Sequence, residues 1–144
     1  MNKEIFLSIC DRLTSQVPAL RWVDWDSGQL DIQSERPPVA FPACLVEIEY
    51  PQCEEIGAEM QLVTCNVTLR LAFWPQGETS SVSPVREAAL AAFDTIGQVH
   101  AALQGWSTEA LSIFSRLSAK AERRKDGLKV YRVVYQTTFT ETVD

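Results

Sequence analysis

One stretch in the middle of the chain, residues 61–74, constrains the fold more than any other part of the sequence. Apolar side chains recur at every second position from Val63 to Phe73, and polar side chains fill the alternate positions from Thr64 to Arg70. Because successive side chains of a strand point to opposite faces, this alternation predicts a long strand with one buried and one solvated face. No Gly or Pro interrupts the run, so the rest of the chain is expected to be organised around this strand.

Three further segments alternate in the same way. Residues 43–50 predict a second strand that pairs antiparallel with residues 61–74 through a long connection over residues 51–59. Residues 111–121 and 128–143 predict a second hairpin around the turn signal Asp126-Gly127. The sheet therefore has at least four strands in two hairpins.

Two segments carry the four-residue spacing of amphipathic helices. The first covers residues 3–16, with Asn2 as its expected cap, and Pro18 follows it. The second begins at Ser83-Pro84, runs to about residue 104 and is ended by Gly105. The sequence thus predicts one α+β domain over residues 1–144, a mainly antiparallel sheet with both helices packed on one face.

Between the first helix and the first hairpin lies an irregular arm, residues 19–42, that carries Trp22 and Trp25. Short extended pieces are expected at residues 21–25 and 29–33, on either side of a turn. Aromatic residues are enriched at interfaces. The arm is therefore interpreted either as a segment docked on its own domain or as a surface that meets a neighbour.

Composition and termini exclude several classes of protein. No apolar run approaches the roughly 18 residues that span a membrane, and the first residues do not resemble a signal peptide. The chain is therefore expected in the cytoplasm. Its four cysteines lack a CxxC spacing and are expected to be buried thiols rather than disulfides or redox groups; they are Cys10, Cys44, Cys53 and Cys65.

The sequence contains no recognisable catalytic or phosphate-binding motif. His100 is the only histidine and has no partner at metal-ligand spacing, so neither a metal site nor a cofactor is expected. The net charge of −6 disfavours sequence-specific nucleic-acid binding. A non-enzymatic protein that acts through its shape and surface is therefore predicted, with an enzyme built on His100 as a minor alternative.

Charge is distributed unevenly along the chain. Residues 116–132 carry seven basic and two acidic side chains, whereas residues 1–59 carry four basic and eleven acidic ones. This pattern indicates either a solvated hairpin tip or a basic edge that meets an acidic edge on another copy, which closes into a ring when the rotation permits. The candidate subunit contacts are Arg116, Lys120, Arg123, Arg124 and Lys125 against Glu47, Glu49, Glu54 and Glu55, with Trp22 and Trp25 from the arm.

The order helix, arm, hairpin, helix, hairpin resembles the phage tail-terminator (tail-completion) and head–tail joining proteins over nearly the full length. Three groups of residues carry the resemblance. They are Trp22-Val23-Asp24 with Gly28-Gln29-Leu30 in the arm, Phe41-Pro42-Ala43 with Leu45-Val46-Glu47-Ile48 at the first strand, and Ala92-Phe93-Asp94-Thr95-Ile96 with Val99-His100-Ala101-Ala102-Leu103 in the second helix.

This resemblance implies a homo-oligomeric ring, commonly a hexamer, in the tail or neck of a phage or prophage virion. Such a ring caps the tail tube and contacts tail-tube and neck proteins, and its basic hairpin faces a neighbour, the tube or a lumen for DNA. The alternative is a small adaptor or ligand-binding domain outside any virion. That alternative predicts a concave apolar pocket, lined by Trp22, Trp25 and Trp74.

Overall fold

The computed structural model describes residues 3–32, 36–75, 77 and 79–143. Within them the sheet has five strands in the order β1-β2-β3-β5-β4; β1 runs parallel to β2, and all other neighbours are antiparallel. The predicted α+β class and the two hairpins are confirmed. The elements are α1 (Lys3–Gln16), β1 (Trp22–Trp25), β2 (Ala43–Gly57), β3 (Met60–Phe73), α2 (Arg86–Leu103), β4 (Ser115–Ala121) and β5 (Lys129–Thr142).

The first hairpin is much longer than predicted. Strand β2 continues to Gly57 and turns at Ala58-Glu59, so the expected connection over residues 51–59 is wrong. A register shift between Glu49 and Gln52 marks a bulge around Pro51. Proline cannot donate to a ladder, and a bulge is one of the few places where a sheet tolerates it. The bulge also breaks the alternation, which is why this half of the strand was predicted as a loop.

The arm and the second hairpin also differ from expectation. Gly28 has φ +87° and opens a turn, and residues 29–32 form turns and bends, so the extended piece predicted there is wrong. Gln33, the last residue of that piece, and Asn2, the expected helix cap, lie outside the described residues. Strand β4 begins at Ser115 rather than at residue 111. The preceding loop folds back on itself, with main-chain hydrogen bonds from Gly105 to Phe114 and from Phe114 to Trp106.

One face of the sheet, here called the helix face, carries Val46, Leu69 and Tyr135. These side chains are buried in one hydrophobic cluster with residues of both helices, among them Ile9 of α1 and Val99 of α2. The shared cluster supports the predicted packing of both helices against this face. Burial of large apolar side chains is worth about 1.5–3 kcal/mol each, so this layer contributes substantially to the stability of the fold.

The opposite face, here called the arm face, carries Leu45, Arg70 and Val130. A second, smaller hydrophobic cluster covers one end of it, where Leu30 and Phe41 of the arm pack on the sheet. The arm is therefore docked on its own domain over this end. Beyond it the arm face remains open and polar.

Candidate functional site

Arg70, on β3, lies at the centre of an ion-pair network on the arm face, and the residue is only 7% exposed. It donates two hydrogen bonds of 2.8 Å to the carboxylate of Glu122 and two, of 2.9 and 3.3 Å, to that of Asp31. The Oδ2 atom of Asp26 lies 3.7 Å from the Nη1 atom of Arg70. Two-pronged pairing of this kind is the strongest that arginine makes with carboxylates.

Arg124 extends the same network from the turn between β4 and β5. Its guanidinium contacts the carboxylates of Asp126, Asp31 and Glu122 and donates a hydrogen bond to the carbonyl of Leu30. The hydrogen bond from Arg70 lowers the pKa of Asp31 and that of Glu122, and the one from Arg124 lowers the pKa of Asp126. All three carboxylates are therefore ionised at neutral pH and are poor general acids.

The network joins three parts of the chain that are distant in sequence: the arm at residues 26–31, the central strand, and the turn of the second hairpin. The network therefore connects the arm to the sheet and to the second hairpin. The alternating pattern predicts that Arg70 lies on a solvated face. One sequence signal points the other way, because the next position on that face is the apolar Ala72, which the structure shows to be fully buried.

Arg124 was expected among the subunit contacts, but its side chain is 10% exposed and is held within its own chain. The other four basic candidates, Arg116, Lys120, Arg123 and Lys125, are exposed, and in the described part of the chain none of them forms an ion pair. Arg116 and Lys120 lie on β4, which is one edge of the sheet. We refer to residues 115–121 as the basic edge.

The acidic candidates lie on β2, near the opposite edge of the sheet. Strand β1 covers β2 only from Ala43 to Val46, so residues 47–57 have no strand on that side within the described part of the chain. We refer to residues 47–57 as the acidic edge. It contains no basic residue, and its four carboxylates are exposed: Glu47, Glu49, Glu54 and Glu55.

The acidic edge does not present all its carboxylates on one face. Glu54 is paired with Leu62 and lies on the arm face, as Glu47 and Glu49 do. Glu55 is paired with Gln61 and lies on the helix face. The basic edge divides in the same way, because Lys120 is paired with Arg132 on the arm face and Arg116 with Tyr135 on the helix face. Each edge therefore offers charge on both faces.

The tryptophans do not form the pocket expected for a ligand-binding domain. Trp22 and Trp25 are three residues apart in one strand and so point to opposite faces. The ring of Trp25 packs edge-on against Phe6 at 5.7 Å, whereas that of Trp74 packs against Phe41 at 5.5 Å. Trp22 is 38% exposed and is paired with Ala43, at the end of β1 farther from the acidic edge, and it remains a candidate contact.

His100 lies on α2, where its Nδ1 atom is 2.9 Å from the hydroxyl of Tyr135. Partial burial and the nearby Arg116 lower the pKa of His100, and burial raises the pKa of Tyr135 to about 12. The pair is thus a neutral hydrogen bond at pH 7, and no carboxylate hydrogen-bonded to His100 is found among the described residues. This geometry supplies no activated base or nucleophile.

Two of the cysteines, Cys44 and Cys65, are buried, as predicted. Cys10 is half-buried, and Cys53 is exposed on the acidic edge, so the expectation of burial is wrong for Cys53. Among the described residues no group of His, Cys, Asp and Glu has a geometry that holds a metal ion. Nor does the described part of the chain contain a helix of the length and apolarity needed to cross a membrane.

Comparison with known proteins adds no assignment. No protein-family model matches the chain, and a search of curated proteins found no match. Function is therefore inferred from the surfaces described above.

Proposed function

We propose that this protein is a non-enzymatic structural component of a phage or prophage tail. It assembles head to tail into a ring that caps the tail tube, as a tail terminator or a head–tail joining protein does. A ring of six copies is the expected form. The partners are further copies of the chain and the tail-tube and neck proteins.

The observation that carries this proposal is the opposite charge of the two free edges of one sheet. The basic edge has two basic and no acidic side chains, and the acidic edge has four acidic and no basic ones. Contact between two equal edges places like charges opposite each other, which is destabilising. Contact between unequal edges gains roughly 0.2–1 kcal/mol per opposite-charge pair, so the charges favour a head-to-tail contact.

The docked arm supports the same proposal. A ring subunit must present its edges in a fixed orientation, and the Arg70 network holds the arm rigidly beside β2 and the second hairpin. Exposed apolar side chains at the far end of the first hairpin add a surface for the tube or the neck. They are Ile56, Met60 and Leu62.

A ligand-binding domain outside any virion is the second candidate, because the structure contains an apolar groove. It lies between α2 and the sheet, has a volume of about 310 Å³ and is lined by Ala89, Phe93, Ile96 and Tyr131 among others. Phe93 is 61% exposed there. This candidate predicts a monomer that binds small apolar ligands in the groove.

Two experiments separate these functions. Light scattering at low and high salt measures the mass in solution, and the ring predicts an oligomer that high salt weakens, since exposed ion pairs are screened. Deleting the gene from the genome that encodes the chain, followed by electron microscopy of the released particles, tests the tail role. Overlong tubes or tails without heads support the proposal. Normal particles from the deletion strain overturn it.

A further inference from the structure

The two charged edges are also two open main-chain ladders. A strand at the edge of a sheet presents unpaired N–H and C=O groups, and proteins usually cover or distort such edges. Within the described part of the chain, β1 pairs with β2 only as far as Val46, before the acidic edge begins, and every residue of the basic edge is exposed.

The direction of the free main-chain groups on β4 follows from its ladder. The N–H of Glu122 donates to the carbonyl of Val130 on β5, and pairing continues without a shift through residues 121, 120 and 119. Because main-chain groups alternate between the two sides of a strand, those of Ala119 and Ala121 point away from the sheet. Beyond the register shift, the N–H of Arg116 donates to the side-chain oxygen of Gln104 at 2.9 Å. The open main-chain groups of β4 are therefore those of Ala119 and Ala121.

The strand directions of the two edges are compatible. Strand β2 is antiparallel to β3, β3 to β5, and β5 to β4, so β4 runs opposite to β2. When a second copy is placed beside the first with its sheet in the same orientation, β4 of one meets β2 of the next as an antiparallel pair. The helix face of one copy then continues into the helix face of the next. On each face, basic side chains of one copy lie opposite acidic side chains of its neighbour.

We propose that neighbouring copies join by main-chain pairing of the basic edge of one with residues 52–57 in the acidic edge of the next, which extends the sheet across the subunit boundary. The partner is thus a second copy of this chain. This inference rests on the self-association part of the proposed function but not on the phage-tail role. It adds that backbone hydrogen bonds, and not side-chain charges alone, hold the contact.

The native Cys53 provides a direct test. It is exposed within the acidic edge and is paired with the buried Val63, which places it on the helix face. Ala119 and Ala121 are on the helix face of the basic edge. We therefore expect Ala119→Cys or Ala121→Cys to form a disulfide with Cys53 of the next copy under mild oxidation. Non-reducing gels would then show a ladder of trimers and larger species, which the same variant with Cys53→Ser loses and the wild type does not form.

A proline variant tests the main-chain part separately. Ala119→Pro removes an N–H that faces away from the sheet, a change that edge strands tolerate. It should retain the circular dichroism spectrum of the wild type while losing the oligomer, whereas Ala119→Ser should retain both. The serine variant controls for the loss of the alanine side chain.

The possible outcomes separate this inference from the function on which it rests. If the oxidised cysteine variants give no species larger than a dimer on the gel although the wild type is oligomeric, edge pairing is wrong but a ring with another contact remains compatible with the result. An oligomeric Ala119→Pro variant also overturns edge pairing. A wild type that stays monomeric at every concentration overturns the self-association itself.

Discussion

Replacing Arg70 with methionine is the sharpest test of the network that fixes the arm. The substitution keeps an unbranched side chain on the arm face but removes four charged hydrogen bonds, two to Glu122 and two to Asp31. We expect the free energy of unfolding to fall by about 2–4 kcal/mol.

This magnitude follows from the exposure of the two carboxylates. Glu122 is 23% exposed, so its paired bonds are worth about 1.5–3 kcal/mol, as for hydrogen bonds to charged groups. Asp31 is 55% exposed, and solvent screening limits its share to less than about 1 kcal/mol. In the variant, Arg124 still lies 3.3 Å from Glu122, so the carboxylate of Glu122 keeps a cationic partner. The loss of unfolding free energy therefore stays below the upper limit of about 5 kcal/mol for a broken buried pair.

The assay is urea denaturation at pH 7, followed by tryptophan fluorescence at a fixed protein concentration. Arg132→Met is the matched control, because Arg132 is exposed beside Arg70 on the same face and forms no ion pair with any described residue. It should change stability by less than about 0.5 kcal/mol. Hydrogen exchange gives a second readout, since the amide of Asp31, bonded to the Gly28 carbonyl, should lose protection. An Arg70→Met protein as stable as the control would refute the role assigned to the network.

Three further predictions concern titration, thiols and the histidine. Pairing with Arg70 lowers the pKa values of Asp31 and Glu122, whose unfolded values are 3.8 and 4.5. Their contribution to the free energy of unfolding is therefore complete above these values and is lost as the pH falls below them. The stability of the wild type should drop from about pH 5 downward, and more steeply than that of Arg70→Met. A thiol reagent should label Cys53 rapidly in the native protein and Cys44, which is fully buried, only after unfolding; equal rates would contradict the burial described. Tyr135→Phe removes the hydroxyl bonded to His100 and should cost about 0.5–1.5 kcal/mol in the same urea assay, whereas an unchanged midpoint would show that this bond is not formed.

The parts of the fold that sequence could predict are those governed by local periodicity. Strand β3 and helix α1 have regular apolar spacing, and their observed bounds agree with the predicted ones to within about a residue. The second half of β2 could not be predicted, because the bulge at Pro51 shifts its pattern and neither of its faces is buried. Its strand form comes from pairing with β3, which is a long-range contact.

Only the charge composition of the candidate surface could be predicted from the sequence. The charge imbalance located the basic and acidic segments, but the sheet order decides that they lie on opposite edges. Arg124 is removed from the contact set by two local carboxylates, Asp126 and Glu122, and by Asp31, which is 93 residues away in the chain. The contact with Asp31 could not be predicted from a local pattern, because it arises from the arm folding back over the sheet.

An exchange of charge between the edges tests the head-to-tail contact most directly. We expect Glu54→Lys with Glu55→Lys to abolish the oligomer, because residues 52–57, the proposed pairing segment, and the basic edge then both carry only basic charges. We expect Arg116→Glu with Lys120→Glu to abolish it as well, because both segments are then acidic. Light scattering of the chain that carries all four substitutions is the decisive measurement. Residues 52–57 and residues 115–121 are again opposite in sign, so the account predicts an oligomer of wild-type mass. A monomer from this chain, or wild-type mass from either double variant, would contradict it.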